Sequence, residues 1–137
     1  MSTPRKRTAR AKARAGAEAP AAVAPGSRAR DLADAVARLL HAMRAEEVVR
    51  LDVSGVTDLA DEFLIATVAS TRQSAAIVEA CEKERKARRL ASIGVDAQPG
   101  SGWVVLDYGD LVVHLFLPEQ RAYYGLEHLW ADARRLE

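Results

Sequence analysis

Two aspartates and a histidine lie close together in the segment GWVVLDYGDLVVHLF, residues 102–116. Carboxylates and imidazoles are common metal ligands and proton carriers in active sites. A metal centre for nucleotidyl transfer commonly takes two carboxylates from alternate positions of one strand, which places both on one face. Asp107 and Asp110 instead flank a turn, and the chain has no Walker-type loop, HExxH motif or CxxC motif. We therefore predict a protein that is not an enzyme and holds no metal or other cofactor, with a metal-dependent nucleotidyl-transfer enzyme as the alternative.

Two very apolar segments, residues 103–108 and 111–117, carry these side chains. They predict two strands joined as a β-hairpin, in which an even-numbered loop fixes the residues that share a face. Two registers fit the sequence: His114 lies opposite Val105 in one and opposite Trp103 in the other. Both registers place the same residues on the same face.

One face of this hairpin is aliphatic apart from Tyr108 and is predicted to face the core. The other, here called the mixed face, carries Trp103, Val105, Asp107, Val112, His114 and Phe116. One interpretation is that the mixed face is also covered, with His114 in a buried hydrogen bond and Trp103 filling space. The other is a docking face, because aromatic side chains beside a few charges are typical of interface hot spots. The residue pattern by itself leaves both interpretations open.

Helical and strand patterns alternate along the rest of the chain. The first helix is capped by Ser27 or Asp31, and its apolar face is formed by Leu32, Val36, Leu39, Leu40 and Met43. Ser70 or Thr71 caps a long helix that ends near Arg89. The remaining strands are predicted at residues 48–53, 63–69 and 90–95. Pro118 opens the last helix, with an apolar face of Tyr123, Leu126, Leu129 and Trp130. These elements predict one α+β domain, residues 28–137, with a mixed sheet of about five strands packed with helices in the order α-β-β-α-β-β-β-α.

The charge is distributed unevenly. Residues 1–30 hold eight basic residues and one acidic residue, whereas residues 31–137 hold 12 basic and 18 acidic residues. Residues 1–27 lack the apolar side chains that offset ordering entropy, so we expect a disordered basic tail. The tail could contact nucleic-acid phosphates, or be solvated without a partner, whereas the acidic domain suits a basic protein surface. The one cysteine, Cys81, fits a reducing compartment, and no apolar run is long enough for a membrane span.

Three motifs resemble those of the ribosomal silencing factor family, also called the Iojap family. They are LDVSGVTDLADEFLIATVASTRQ at residues 51–73, GWVVLDYGDLVVHLF at residues 102–116 and RAYYGLEHLW at residues 121–130. The resemblance implies a nucleotidyltransferase-like fold without known catalysis. It also implies a cytoplasmic translational repressor that acts when nutrients are scarce. Such a repressor binds the large ribosomal subunit through ribosomal protein number fourteen, at the intersubunit face, and blocks joining of the small subunit.

The resemblance also implies a set of partner-binding residues. Carried over by position, these are Trp103, Asp107, Tyr108, Asp110 and His114. Because an exposed aromatic face is often covered by a second copy of the chain, we further expect a homodimer of the free protein through the Trp103 side of the sheet.

Overall fold

The computed structural model describes residues 26–97 and 100–137. Its helices are α1 (Gly26–Ala42), α2 (Thr71–Ala87), α3 (Pro118–Tyr124) and α4 (Leu126–Leu129). Its strands are β1 (Glu46–Asp52), β2 (Glu62–Thr67), β3 (Gly94–Asp96), β4 (Trp103–Asp107), β5 (Leu111–Phe116) and β6 (Arg134–Arg135). The predicted α+β class and the predicted order through α3 are confirmed, and α4 and β6 follow them.

The strands form one mixed sheet in the order β3-β4-β5-β2-β1-β6. The β2–β5 pair is parallel, and all the other pairs are antiparallel. The sheet has six strands rather than about five because β6, two exposed arginines, pairs with Leu51 and Asp52 at the β1 edge. Two exposed arginines give no apolar alternation, so the sequence contains no strand signal at that point.

Both faces of the sheet are packed. On one face α1 and α2 cover the aliphatic side of the hairpin, and this core includes Leu32, Val36, Leu40, Leu64, Ile77, Cys81, Leu106, Val113 and Leu115. On the opposite face a second core includes Val49, Leu51, Phe63, Ile65, Trp103, Val105, Val112, Phe116 and Leu126. Within the described ranges, no helix has the length and apolar character required to cross a membrane.

Of three predicted element boundaries, one is confirmed, one is wrong and one is shifted along the chain. Helix α1 begins at Gly26, so Ser27 and Asp31 lie inside it and the prediction that one of them is the cap is wrong. Ser70 does cap α2, since its hydroxyl accepts a hydrogen bond from the Gln73 amide at 3.1 Å. The third strand, expected at residues 90–95, is shorter and later, at Gly94–Asp96. Residues 1–25 of the predicted disordered tail lie outside the described residues.

Candidate docking face

The hairpin of β4 and β5 adopts the first of the two expected registers. Trp103 lies opposite Phe116, Val105 opposite His114 and Asp107 opposite Val112. The Tyr108 amide donates to the Leu111 carbonyl at 2.9 Å and closes the pair. The division of the hairpin into an aliphatic face and a mixed face is therefore confirmed.

The mixed face is buried within the chain itself. Trp103 is 2% exposed and His114 is 1% exposed. The segment after β5 folds back over them: the rings of Trp103 and Tyr124 lie 5.0 Å apart, centroid to centroid, and Leu126 and Trp130 pack in the same cluster. The expectation that the mixed face is exposed is wrong, and the alternative, a covered face, is what the structure shows.

The covering segment bends at Gly125, which the sequence analysis did not use. Gly125 has a left-handed backbone (φ 50°) and ends α3, so that α4 starts in a new direction. After the bend Leu126, the first residue of α4, is buried in the second core, whereas Tyr123 is 80% exposed and Leu129 is 69% exposed. The single apolar helix face predicted for this region is therefore wrong, because two short helices replace one longer helix.

His114 makes one hydrogen bond inside the aromatic cluster. Its Nδ1 accepts from the Trp103 indole N–H at 3.1 Å, which leaves the ring proton of the neutral form on Nε2. The Nε2 atom has no hydrogen-bond partner, and the rings of His114 and Phe63 make a T-shaped contact at a centroid distance of 5.1 Å. Burial lowers the pKa of His114 to about 3. His114 is therefore neutral at physiological pH and is unsuited to general acid catalysis there.

Asp107 shapes the turn between the two strands. It is 2% exposed, and its Oδ1 accepts from the Gly109 amide at 3.0 Å. Gly109 has a left-handed backbone (φ 85°), which glycine adopts without strain. Among the described residues there is no group of three or more His, Cys, Asp or Glu side chains placed to hold a metal ion. The hydrogen bond of Asp107 to the Gly109 amide therefore belongs to the turn between β4 and β5.

Tyr108 lies on the opposite side of the sheet from Trp103. Its hydroxyl donates to the Glu82 carboxylate on α2, and the Arg85 guanidinium lies 6.0 Å from its ring centroid. Burial, reinforced by the hydrogen bond to Glu82, raises the pKa of Tyr108. The side chain ties the end of the hairpin to α2 and is 8% exposed.

Asp110 is the one partner-binding candidate of the five that is not buried. Its carbonyl accepts from the amides of Asp61 at 2.8 Å and Glu62 at 3.0 Å. Burial raises the pKa of Asp61, and the carboxylates of Asp110 and Asp52 raise it further. These four acids, Asp52, Asp61, Glu62 and Asp110, are here called the acidic rim. The sequence analysis missed Asp61 and Glu62 as its members, although the acidic run DLADE, residues 58–62, at the start of β2 was an available signal.

The structure therefore does not assemble the five candidates into one surface. Trp103 and His114 are in contact within a core, Tyr108 faces the other core, and Asp107 and Asp110 belong to the turn. What this region presents to solvent is the turn with Asp110 and the acidic rim.

The chain is similar to known proteins in both sequence and structure. The family model described as "Ribosomal silencing factor during starvation" matches residues 26–137. A ribosomal silencing factor of Halalkalibacterium halodurans is 38% identical over 94 residues, which is 69% of this chain and 80% of that protein. A mouse protein named for mitochondrial assembly of the ribosomal large subunit is 31% identical over 100 residues, 71% of this chain and 44% of that protein. A crystal structure of a Chromobacterium violaceum protein superposes with a TM-score of 0.70 at 29% identity and covers 74% of this chain and 85% of that one.

Proposed function

Because this chain belongs to the ribosomal silencing factor family, we propose that it is a translational repressor that binds the large ribosomal subunit and sterically blocks joining of the small subunit, as under nutrient limitation. The observation that carries the proposal is the family match, which spans every described residue from 26 to 137. The mouse relative's name adds a connection with the large subunit. Small-subunit exclusion requires only a stably bound, folded obstacle at the intersubunit face.

The proposed contact is ribosomal protein number fourteen, which the family resemblance implies. Residues 31–137 hold 18 acidic and 12 basic residues, so the domain attracts a basic protein and is repelled by exposed phosphates. Within the acidic rim Glu62 is paired with Arg50 at 2.5 Å, so Asp61 and Asp110 are the carboxylates that place negative charge at this end of the sheet. Charge of this kind mainly sets the association rate and the orientation of docking.

We assign the five candidate residues different parts in this binding. Asp110 contacts the partner directly, since it is accessible in the turn. Trp103, Asp107, Tyr108 and His114 act from below the surface by fixing the hairpin and its turn. The proposal thus keeps all five in the binding region but restricts direct contact to Asp110.

The chain is proposed to act without catalysis. Family members are named silencing factors rather than enzymes. His114 is buried and neutral, and Cys81 is buried with its pKa raised to about 12 by burial and by the nearby acids Glu82 and Glu84. Neither side chain is therefore available as a proton carrier or thiolate nucleophile near pH 7.

Three further points concern location, the basic tail and self-association. We place it in the cytoplasm, where ribosomes assemble from their subunits. The basic residues 1–25 are proposed to contribute ribosomal RNA contact. The homodimer expected through the Trp103 side loses its premise, because the chain covers that side with its own C-terminal segment.

Co-sedimentation with separated ribosomal subunits tests the proposal. The protein should pellet with the large subunit and not with the small subunit. The amount bound should saturate at one copy per large subunit. Pelleting with the small subunit alone, or with neither, would refute it. A variant lacking residues 1–25 should retain binding to the large subunit, which separates docking by the domain from general RNA binding by the tail.

A further inference from the structure

A cleft lies between the start of α2 and the end of the hairpin opposite to its turn, and it is here called the α2 cleft. Its volume is about 190 Å³. One wall is formed by Thr71, Ser74, Ala75 and Val78 of α2, and the facing wall includes Val104 of β4 and Leu115 of β5. Among the described residues that line the cleft, none has a charged side chain. Its surface is therefore apolar apart from a few hydroxyl and backbone groups.

The cleft follows from the residues in the first two turns of α2. The four α2 residues of its wall are spaced i, i+3, i+4 and i+7, so they share one helical face. In the middle of this face lie Ser74 and Ala75, whose side chains are too short to fill the space up to the sheet. On the sheet side, Val104 belongs to the aliphatic face of the hairpin and is only partly buried against the core there. The cleft is thus built into the packing of α2 on the sheet.

The Ser74 hydroxyl in this wall has no hydrogen-bond partner in the part of the chain that the structure describes. The residue is 6% exposed, and its Oγ is buried. Its backbone amide is satisfied, since it donates to the Ser70 carbonyl at 3.1 Å. Buried side-chain polar atoms nearly always have a partner, so an unpaired hydroxyl in the wall of a cleft points to a polar group of a ligand.

The elements around the cleft are held by hydrogen bonds of their own. Ser70 caps α2 at the Gln73 amide, and the Gln73 side chain donates to the Met43 carbonyl, just after α1, at 3.0 Å. On the other side, the Leu117 amide donates to the Gly102 carbonyl at 3.0 Å. A cleft whose walls are fixed before binding loses little entropy when a ligand enters.

From these observations we propose that the α2 cleft binds a small uncharged alcohol or phenol with a single ring, whose hydroxyl group pairs with that of Ser74. The size follows from the volume, because an apolar protein cavity of about 150 Å³ holds one benzene molecule. The ligand carries a hydroxyl because this group can both donate to and accept from the hydroxyl of Ser74. The ligand is uncharged because a charge buried against an uncharged lining pays a large desolvation cost.

This site is separate from the surface that is proposed to meet the ribosome. The cleft lies where β4 begins and β5 ends, whereas Asp110 and the acidic rim lie at the turn between these strands. Ligand binding at the cleft therefore does not rest on the proposed function, and either can fail without the other.

Titration of the full chain with p-cresol, followed by ¹H–¹⁵N correlation spectra, tests the site. p-Cresol is an uncharged phenol near pH 7, and p-xylene has nearly the same shape with a methyl group in place of the hydroxyl. p-Cresol should bind with a Kd of about 1 mM or tighter and should shift the amide signals of residues 71–78 and 104. If p-cresol causes no saturable shift of these signals, the proposal is overturned.

Ser74→Ala isolates the contribution of the hydroxyl. It should lower the affinity for p-cresol roughly threefold to tenfold and leave that for p-xylene unchanged, because only p-cresol loses a hydrogen-bond partner. The melting temperature should not fall, because the hydroxyl that is removed is unpaired among the described residues. Equal changes in the two affinities would overturn the pairing with Ser74. A lower melting temperature would show that the fold already satisfies the hydroxyl, which also overturns it.

Ala75→Phe fills the opening of the cleft. Ala75 lines the cleft and is exposed, so the added ring should abolish p-cresol binding without unfolding the chain. Ala76→Phe is the matched control, because Ala76 is the next residue of α2, is also exposed and does not line the cleft. This control should bind p-cresol as wild type does. Equal binding by all three proteins would place p-cresol elsewhere and overturn the site.

A side chain of a partner protein is the other occupant that an apolar cleft admits, and subunit binding distinguishes it. Ala75→Phe and Ala76→Phe should bind isolated large subunits equally well, because the cleft is proposed to take a free small molecule. A loss of subunit affinity of roughly tenfold or more in Ala75→Phe alone would overturn the small-molecule ligand in favour of protein docking at the cleft.

Discussion

At the scale of single residues, the buried pair of Trp103 and His114 explains why the mixed face contains polar groups. The indole N–H and the imidazole Nδ1 satisfy each other at 3.1 Å inside an otherwise apolar cluster. A buried donor and acceptor that lose their partner pay a desolvation cost, so this pair fixes how the two side chains pack. In the proposed function these two residues act on binding only indirectly, by fixing the shape of the hairpin.

Trp103→Ala should therefore act mainly on stability. Loss of a fully buried tryptophan costs about 3–5 kcal/mol, and it also leaves His114 Nδ1 without its donor. We expect a melting temperature lower by more than about 10 °C in a differential scanning experiment. Tyr123→Ala, which removes an exposed aromatic ring, should leave the melting temperature within a few degrees of wild type. A near-native melting temperature for Trp103→Ala would contradict the burial of this residue.

His114 should make stability depend on pH. Burial lowers its pKa from 6.5 to about 3, so the unfolded chain takes up the proton first as the pH falls. Stability is then full above pH 6.5 and decreases toward pH 3, by at most about 1.4 kcal/mol per pH unit for one proton. Urea unfolding at several pH values should show this slope, and His114→Phe should reduce it. Replacement of the exposed His128 by Gln serves as the control, and an equal slope in wild type and His114→Phe would contradict the prediction.

At the scale of elements, successive side chains of a strand point to opposite faces of the sheet. This was enough to predict which side chains of β4 and β5 share a face. It could not reveal what covers that face, because the cover comes from residues 118–133, which follow the hairpin. The sequence contained Gly125 in the middle of an apolar helical pattern, and its left-handed backbone divides that pattern into α3 and α4. Side-chain contacts such as Arg121 with Glu47 join residues 74 positions apart, and no local pattern encodes them.

Gly125→Ala should disturb the cover of the mixed face. A side chain at φ 50° is strained, and its Cβ would lie 3.4 Å from the His128 ring. The expected loss is about 1–2 kcal/mol of unfolding free energy, together with greater solvent quenching of tryptophan fluorescence because Trp130 follows α4. Gly55→Ala, where no atom lies within 4 Å of the added Cβ, should be near neutral. Equal stability of the two variants would argue against the bend as a specific requirement.

At the scale of the whole molecule, the described domain combines a rigid two-sided core with an acidic surface. The acidic rim lies at the turn end of the hairpin. Burial of Asp61 and the nearby carboxylates, of which Asp110 acts most strongly, raise the pKa of Asp61, while Arg30 opposes this shift. Like charges held together destabilise the free protein and are relieved by a cationic partner. The charge distribution thus favours association with a basic surface.

Asp110→Lys should weaken binding to the large subunit roughly tenfold at moderate salt, because it places a positive charge at the proposed contact. Glu79→Lys makes the same change in net charge on the exposed side of α2 and is the matched control. The affinity difference between the two variants should shrink as the salt concentration rises. Equal effects of both substitutions would mean that net charge matters and the position of Asp110 does not.

Subunit joining is the most direct test of the central claim. Large subunits are incubated with increasing amounts of the protein before small subunits are added, and joining is followed by light scattering. The proposed function predicts that joining decreases in proportion to the fraction of large subunits occupied and is nearly abolished at saturation. Incubation of the small subunits first should give no additional inhibition. Undiminished joining when the large subunits are saturated with bound protein would contradict the account.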